Sequence, residues 1–497
     1  MIVLFVILIL LVIILINKHY NDIVLAKKLK NIPGPKPLPL IYNTLDLKPP
    51  VSLLNTFGKW FDEFGDTFQS QIISYSKTVT SRDPDFVQFI LNSPKLLEKG
   101  SNYRILRRWI GEGLLTSGHA KWRHHRRLIS PSFNFKMIDH FVKTFNSYGK
   151  YLVSALEKEI ERDNVDVVSV IKQHTLTAIC LSAMGTEVTA DNNFFDSVDC
   201  LFTVFMNRIT SPIKAMDWTF RLTSDYNVEQ QSLSIIYKYI DIVLRSRKKE
   251  IEKSPSLLDL KIDDLGIKQQ TSFLDILLRQ QTTAHKGFSD EEISVEIITF
   301  MVAGYETTAT AISFALYNLA HHPDVQEKVV DELQGIFGND KTRQPSNEDF
   351  ANMKYLDMVL KESQRLYPSI PLISRSAQED FTYGNTTFPK GIDVIVPIYF
   401  IHRHPQLYKD PDRFDPERFT PDNVNSRHPY SFIPFSGGLR NCIGNRYAAL
   451  KVKSVMSNIL RNFEVLPLSK DTALKLHSTI TLTPINGFNF TLRKRNF

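Results

Sequence analysis

The sequence predicts a mainly α-helical protein with small β-sheets, folded as a single large domain. Three observations carry this reading. Apolar residues recur at helical spacing through most of residues 135–285, with few strand-like runs. Residues 289–322 read as one long helix that starts on a capping signal and ends at Pro323. The 497 residues are 43% hydrophobic and contain no Gly/Ser linker, low-complexity tract or internal repeat. Length alone suits about three domains, but nothing in the chain divides it.

Before that domain lies a segment of different composition. Residues 1–16 are Met, Ile, Val, Leu and Phe without a charged side chain. As a helix they span about 24 Å, a little short of a ~30 Å hydrocarbon core, and Tyr20 with local thinning covers the difference. No small-residue cleavage site follows and no positive region precedes, so an uncleaved signal anchor is expected over residues 1–20. Lys27, Lys28 and Lys30 downstream put the main body on the cytosolic side. Residues 21–40 are a basic, Pro-rich hinge: Pro33, Pro35, Pro37 and Pro39 hold the chain extended and exclude helix. The domain proper is residues 41–497.

Net charge is +7 and pI about 9.0, yet no basic run is interleaved with aromatics, so nucleic acid is not the expected partner. An anionic membrane surface or an acidic protein partner fits better. Three widely spaced cysteines exclude a disulfide framework and point to a reducing compartment. Cys180 and Cys200 read as ordinary structural residues.

Within the domain, β-branched and aromatic runs over 67–80 predict a small antiparallel sheet, and 84–91 a short helix. In Lys121-Trp-Arg-His-His-Arg-Arg127, Trp122 and Arg126 share a helix face, which suits a grip on a carboxylate and equally a solvated basic face. Ser289 and Glu292 form a capping box, with Asp290 and Glu291 at the positive helix end. Midway comes Ala303-Gly-Tyr-Glu-Thr-Thr308. Its Thr hydroxyls can bond back to the i−4 carbonyls and loosen the ladder into a groove, where Glu306 and Thr307 are placed to hand on protons. Glu362 and Arg365 lie three apart on one helix face, ahead of Pro416-Glu-Arg-Phe419. Last, residues 435–444 read Phe-Ser-Gly-Gly-Leu-Arg-Asn-Cys-Ile-Gly. The glycines allow positive φ and close approach to a flat ligand. Backbone N–H groups then face the Cys442 sulfur, and Arg440 is placed to reach a carboxylate of that ligand.

The order Phe-x-x-Gly-x-Arg-x-Cys-x-Gly resembles the haem-binding signature of the cytochrome P450 monooxygenases, and the other motifs follow that family in order along essentially the whole chain. The resemblance implies the P450 fold, with haem b between the long central helix and the cysteine loop. It implies Cys442 as the iron's axial ligand, pushing electron density onto the metal. Trp122, Arg126, Arg375 and Arg440 would meet the haem propionates, and Glu306 and Thr307 would direct protons to dioxygen. Glu362, Arg365 and Arg418 would form a structural network behind the loop. Residues near Ile373 and 479–482 would line the pocket, and 220–239 would roof it at the membrane. Arg123 and Arg127 would face the electron donor.

Gly113-Leu-Leu-Thr-Ser117, Pro131-Ser-Phe-Asn-Phe135 and Phe273-Leu-Asp-Ile-Leu-Leu278 look closest to family 4, insect-type members in particular. Many of these carry a Glu that esterifies the haem where this chain has Ala303, so non-covalent haem is expected apart from the sulfur–iron bond. The function implied is insertion of one oxygen atom of O2 into a lipophilic substrate: fatty acid, terpenoid, hormone or xenobiotic. Electrons would come from NADPH-cytochrome P450 reductase, with cytochrome b5 as a further donor, on the cytosolic face of the endoplasmic reticulum. Two other classes are weighed: a thiolate-haem isomerase or dehydratase working without reductase, and a non-enzymatic haem or lipid carrier. The intact Glu306-Thr307 pair argues against both. Asn385-Thr-Thr and Asn489-Phe-Thr match glycosylation acceptors and should be bare in a cytosolic domain.

Overall fold

The structure is a computed structural model describing residues 28–39, 41–47, 53–72, 77–133, 138–160, 166–258, 272–283, 287–468, 474–495 and 497. The anchor assigned to 1–20 lies outside the described residues. The strands are β1 (Thr67–Gln71), β2 (Lys77–Ser81), β3 (Glu98–Lys99), β4 (Ile373–Ser376), β5 (Phe381–Tyr383), β6 (Thr386–Phe388), β7 (Asp393–Val396), β8 (Phe463–Pro467), β9 (Leu476–Ser478), β10 (Leu482–Pro484) and β11 (Phe490–Lys494). Five of them form one sheet in the order β1-β2-β7-β4-β3; the rest pair in twos. The expected 67–80 hairpin is β1–β2, with Thr67 opposite Ser81. β2 then runs parallel to β7, more than 300 residues on in the chain, and β4 takes β3 as an antiparallel edge, placing Lys99 opposite Arg375.

The described part of the hinge is docked on the sheet. Leu29 and Ile32 are buried. The Gln69 side chain donates to the carbonyls of Leu29 (3.2 Å) and Ile32 (2.6 Å), and its backbone N–H to Pro33 O (2.8 Å). Gly34 lies so close that a Cβ there would be 2.0 Å from Gln69 O.

The central helix runs Asp290–His321, with both hydrogen bonds of the Ser289–Glu292 capping box in place. Pro323 does more than end it: it occupies the first position of the helix Pro323–Phe337, where its missing N–H costs nothing. Two apolar cores meet on the central helix. Ile293, Ile297, Phe300 and Met301 belong to one, and Ala309, Ile312, Ala315 and Leu316 to the other. Each large aliphatic side chain so buried is worth roughly 1.5–3 kcal/mol. By length and composition the central helix and the helical segment Val167–Met184 would pass for membrane spans, but their most apolar stretches are 83% and 67% buried in protein. Both are core. They touch where Thr175 Oγ1 donates to Tyr305 O (3.2 Å) and where Ile179 lies over Gly304.

Candidate active site

Cys442 sits in the loop that feeds the helix Asn445–Asn462. Its N–H donates to Phe435 O (3.0 Å), closing the turn. Ser436 and Gly438 both take left-handed backbone, φ +60° and +67°. At Gly438 glycine is required twice over, since a Cβ would also stand 1.9 Å from Leu91 O. The sulfur is open on one side, into a cavity of about 370 Å³, and surrounded by protein on the others. Burial pushes the thiol up, while the Gly444 N–H and the Arg126 charge pull it down. Burial wins, so a coordinated cation is what would hold it as thiolate.

The same cavity is walled by Trp122, Arg126, Glu306, Thr307, Arg375 and Arg440. The structure therefore brings together every cofactor-binding and catalytic residue expected from the sequence. Their partners are more specific than expected. Arg126 spends its terminal nitrogens on the neighbour of Cys442, donating to Asn441 O and Oδ1 (both 2.9 Å). Arg440 donates to the carbonyls of Leu97 (2.7 Å), Ser117 (3.1 Å) and Leu114 (3.3 Å) and lies over the Trp122 ring at 4.9 Å. Its Nε is buried without a partner among the described residues. Arg375 is fully buried, and among the described residues its side chain donates to Ser374 O alone (3.2 Å).

Sequence reasoning missed Lys99. It lines the cavity and stands across the strand pair from Arg375. Like charges directly opposite are destabilising, and here Arg375 is buried and Lys99 half-buried against the cavity. Burial and the charges of Arg375 and Arg440 drive the Lys99 ammonium well below its usual range, and burial, with the Arg375 charge, pulls Arg440 down to about 10. Among the described residues none of the three is ion-paired to a carboxylate. The segment is held there: Gly100 N donates to Ser374 O (3.3 Å), Ser374 Oγ to Asn102 Oδ1 (2.8 Å), and Ser101 N to Asp393 Oδ2 (3.0 Å). Two buried arginines and a half-buried lysine, with an orphaned donor, are the setting a dianionic ligand would complete. The residues present thus fit haem: a cluster of cations on one side, a cysteine in a glycine loop on the other.

On the central helix, Thr307 Oγ1 donates to Ala303 O (2.7 Å) and Thr308 Oγ1 to Gly304 O (2.8 Å). The hydroxyls bond back as expected, but the helix stays continuous α through them. Ala303 and Thr307 face the cavity, and their exposure is to it. Glu306 is 1% exposed. Burial and the Asp199 charge raise its carboxyl, against the opposing pull of Lys172 (3.7 Å) and Thr481 (3.5 Å). Lys172 in turn reaches Asp199 at the surface (3.1 Å).

Glu362, Arg365 and Arg418 do not line the cavity; they lie behind the loop. Arg365 forms two bonds to Glu362 (2.7 and 2.8 Å), with both side chains wholly buried. Arg418 Nε stands 3.5 Å from Glu362 Oε1 and does not hydrogen-bond it. The residue that connects the pair to the loop is His402, also missed. Its carbonyl accepts from Arg365 (2.9 Å), and its Nε2 accepts from Ile433 N–H (2.8 Å), two residues before Phe435. Burial and the Arg365 charge depress its pKa to about 3, so the ring stays neutral and Nε2 stays an acceptor.

The roof differs from expectation. None of residues 220–239 lines the cavity; Trp109 and, on the helix Asn192–Thr210, Phe202, Phe205, Met206 and Ile209 do. Residues 224–239 belong to the helix Ser224–Lys253, whose buried face packs in the same core as that roof and behind it. Ile373 and Thr479, Ile480 and Thr481 line it as expected, and Leu482 does not.

Comparison with known proteins agrees with the geometry. The cytochrome P450 family model matches residues 32–492. The chain is similar to cytochrome P450 4c21 of Blattella germanica, 33% identical over 95% of this chain and 94% of the relative. It resembles cytochrome P450 4c3 of Drosophila melanogaster at 32% over 98% and 93%, and cytochrome P450 4V2 of Homo sapiens at 35% over 82% and 79%. The chain belongs to the cytochrome P450 family, with the family 4 members among its relatives, and is a monooxygenase that uses haem b held through a cysteine sulfur, together with a redox partner, a substrate and O2.

Proposed function

We propose that this protein oxidises a lipophilic substrate at the endoplasmic reticulum, anchored by residues 1–20 with its domain in the cytosol. NADPH-cytochrome P450 reductase supplies the electrons, and cytochrome b5 is a second donor. The observation that carries this is one cavity walled by Cys442, by the cation cluster and by the Glu306-Thr307 pair. Cys442 would hold haem there through its sulfur, and the group would supply dioxygen activation, favoured by the electron density a thiolate gives to iron. Arg375, Arg440, Lys99 and Trp122 hold the propionates; Arg126 fixes Asn441 and favours negative sulfur at Cys442. Ala303 offers no carboxylate for an ester, so the haem leaves with denaturation. Thr307 and Glu306 hold and pass protons at their Oγ1 and carboxyl oxygens, with Lys172 and Asp199 continuing outward from Glu306. Glu362, Arg365, Arg418 and His402 keep the loop in place.

Exposed Arg123 and Arg127 on the helix His119–Ile129 support donor docking. The exposed apolar side chains of Ile213, Met216, Trp218 and Leu222 support contact with a lipid surface beside the roof. The test is reconstitution. The purified chain with NADPH and reductase should oxidise a lipophilic probe, and its reduced carbon monoxide complex should show the red-shifted Soret band of a trans thiolate. Cys442→Ser should abolish both. Turnover without reductase, or a wild-type spectrum from Cys442→Ser, would refute the proposal.

A further inference from the structure

In the first half of the central helix Ile293, Ile297, Ile298, Phe300 and Met301 are buried, and among them stands one acid, Glu296, with no exposed surface. A buried carboxylate is costly unless its oxygens are satisfied. Glu296 Oε1 accepts from the Leu114 N–H (2.9 Å) and from His125 Nδ1–H (2.5 Å), and Oε2 faces the same Leu114 N–H at 3.2 Å. A carboxylate only accepts, so the imidazole hydrogen of this pair sits on Nδ1. Gly113 lets the turn come this close, since a Cβ there would stand 3.1 Å from Glu296 Oε2.

These bonds reach the two segments that support the cations. Arg440 is held by the carbonyls of Leu97, Leu114 and Ser117 and by the Trp122 ring. All but Leu97 lie on the turn 113–117 or on the helix His119–Ile129. The turn closes on itself, with Ser117 N donating to Gly113 O (2.9 Å), so fixing Leu114 fixes Ser117 as well. On the helix, His125 lies three residues after Trp122 and next to Arg126, which grips Asn441 beside Cys442. A second rung between the same helices, Lys121 Nζ to Glu292 (2.9 Å), has both side chains more than a third exposed, where an ion pair is worth little. The buried rung therefore sets the register. Apolar side chains often replace buried polar clusters without loss of stability; what they lack is an acceptor that ties these segments to the central helix.

We infer that Glu296 is a positioning residue of the haem site: through His125 and Leu114 it sets, from the central helix, where Trp122, Arg126 and Arg440 stand. The inference rests on the haem reading given above. Glu296 does not wall the cavity, so it touches neither substrate nor the bound group. It keeps Arg440 and Trp122 aimed at the propionates and Arg126 on the cysteine loop.

The test mixes the haem-loaded ferric full chain with excess apomyoglobin at pH 7.5 and times the transfer of haem. Glu296→Gln keeps the shape and turns one acceptor oxygen into a donor; transfer should quicken about tenfold, the scale of one lost hydrogen bond to a charged group. His125→Leu leaves the Leu114 bonds in place and should quicken it less. The double variant should fall short of the product of the two, because both act through one contact. In each, part of the reduced carbon monoxide complex should lose the red-shifted Soret band as Arg126 loosens from Asn441. The comparison is Val329→Ala, buried in the other core on the helix Pro323–Phe337. It should lower the urea midpoint yet leave transfer within about twofold of native and the band intact, as a distant site acts independently. If Glu296→Gln does not fold, His125→Leu decides by the same two readouts. Native transfer with an intact band, or acceleration no greater than in Val329→Ala, would overturn the inference alone. A native chain lacking the red-shifted band would overturn the haem reading and the inference with it.

Discussion

Glu306 shows how one side chain is held between two demands. Buried almost completely, it is pushed toward the protonated form, and Lys172 at 3.7 Å pulls it back. A carboxyl raised by burial and restrained by a neighbouring cation is suited to take up and release a proton. Lys172 itself is held charged by Glu306 and by Asp199, against the cost of its burial. Removing the ammonium leaves desolvation and the Asp199 charge opposed only by the Thr481 contact among the described residues, so the Glu306 carboxyl must rise further. Lys172→Met should accordingly move the acid limb of the product-forming pH profile upward. Substrate affinity should barely change, because Lys172 is outside the cavity wall. A profile that stays in place, measured as product formed per NADPH oxidised from pH 6 to 9, would remove Lys172 from the pathway.

The central helix is where sequence legibility and its limits are clearest. Its start was readable because a capping box is local: Ser289 and Glu292 are three residues apart and need nothing else. The Ala303–Thr308 motif was readable for the same reason, and so was the cysteine loop, whose glycines and sulfur are contiguous. What could not be read is what the neighbouring elements bring. Lys99 faces Arg375 only because a two-residue strand joins the sheet edge, and no periodicity marks so short a strand. Lys172, His402 and Glu296 acquire meaning only through partners far away in the chain. The roof was placed too late in the sequence because Asn192–Thr210 and Ser224–Lys253 are both amphipathic, and amphipathicity does not say which of two layered helices touches the cavity. Packing of the central helix adds a testable constraint. A Cβ at Gly304 would stand 2.7 Å from Ile179 Cγ1, and Ile179 also lines the cavity. Gly304→Ala should destabilise by about 1–3 kcal/mol through overpacking. Ile179→Ala should make room and recover much of that loss in the double variant, a coupling that denaturant unfolding of the four proteins measures directly. Purely additive losses would show that the contact is not what fixes glycine there.

Across the whole molecule, a buried Lys–His pair joins the helix that follows the cysteine loop to the helix Val167–Ile179. Lys451 lies on the helix that begins just after the cysteine loop, and His174 on the helix that carries Lys172 and Thr175. Lys451 Nζ and His174 Nε2 are 2.7 Å apart, both residues are buried, and Phe145 from a third helix lies under the ammonium at 4.9 Å. Among the described residues no carboxylate pairs with Lys451. Burial depresses Lys451 to about 7, and burial with the Lys451 charge drives His174 well below its usual value. For both groups the folded pKa is the lower one, so the unfolded chain binds the extra proton and stability rises with pH. The Lys451 contribution is complete above its unfolded value of 10.5, is lost progressively as pH falls to about 7, and is flat below that; His174 adds a second decline beneath 6.5. A depression from 10.5 to about 7 corresponds to on the order of 5 kcal/mol. Lys451→Met keeps the apolar stem and deletes the charge. At pH 7 it should be more stable than the native chain by about 2–4 kcal/mol, after the unpaired His174 nitrogen takes back part of the gain. The advantage should shrink steadily as pH rises and vanish or reverse near 10.5. Urea midpoints of the two proteins from pH 6 to 10.5 would decide it. A constant offset at all pH values would mean that Lys451 keeps its proton in the fold, stabilised by the imidazole and the Phe145 ring, and that the pair is a permanent charged joint instead of a titrating one.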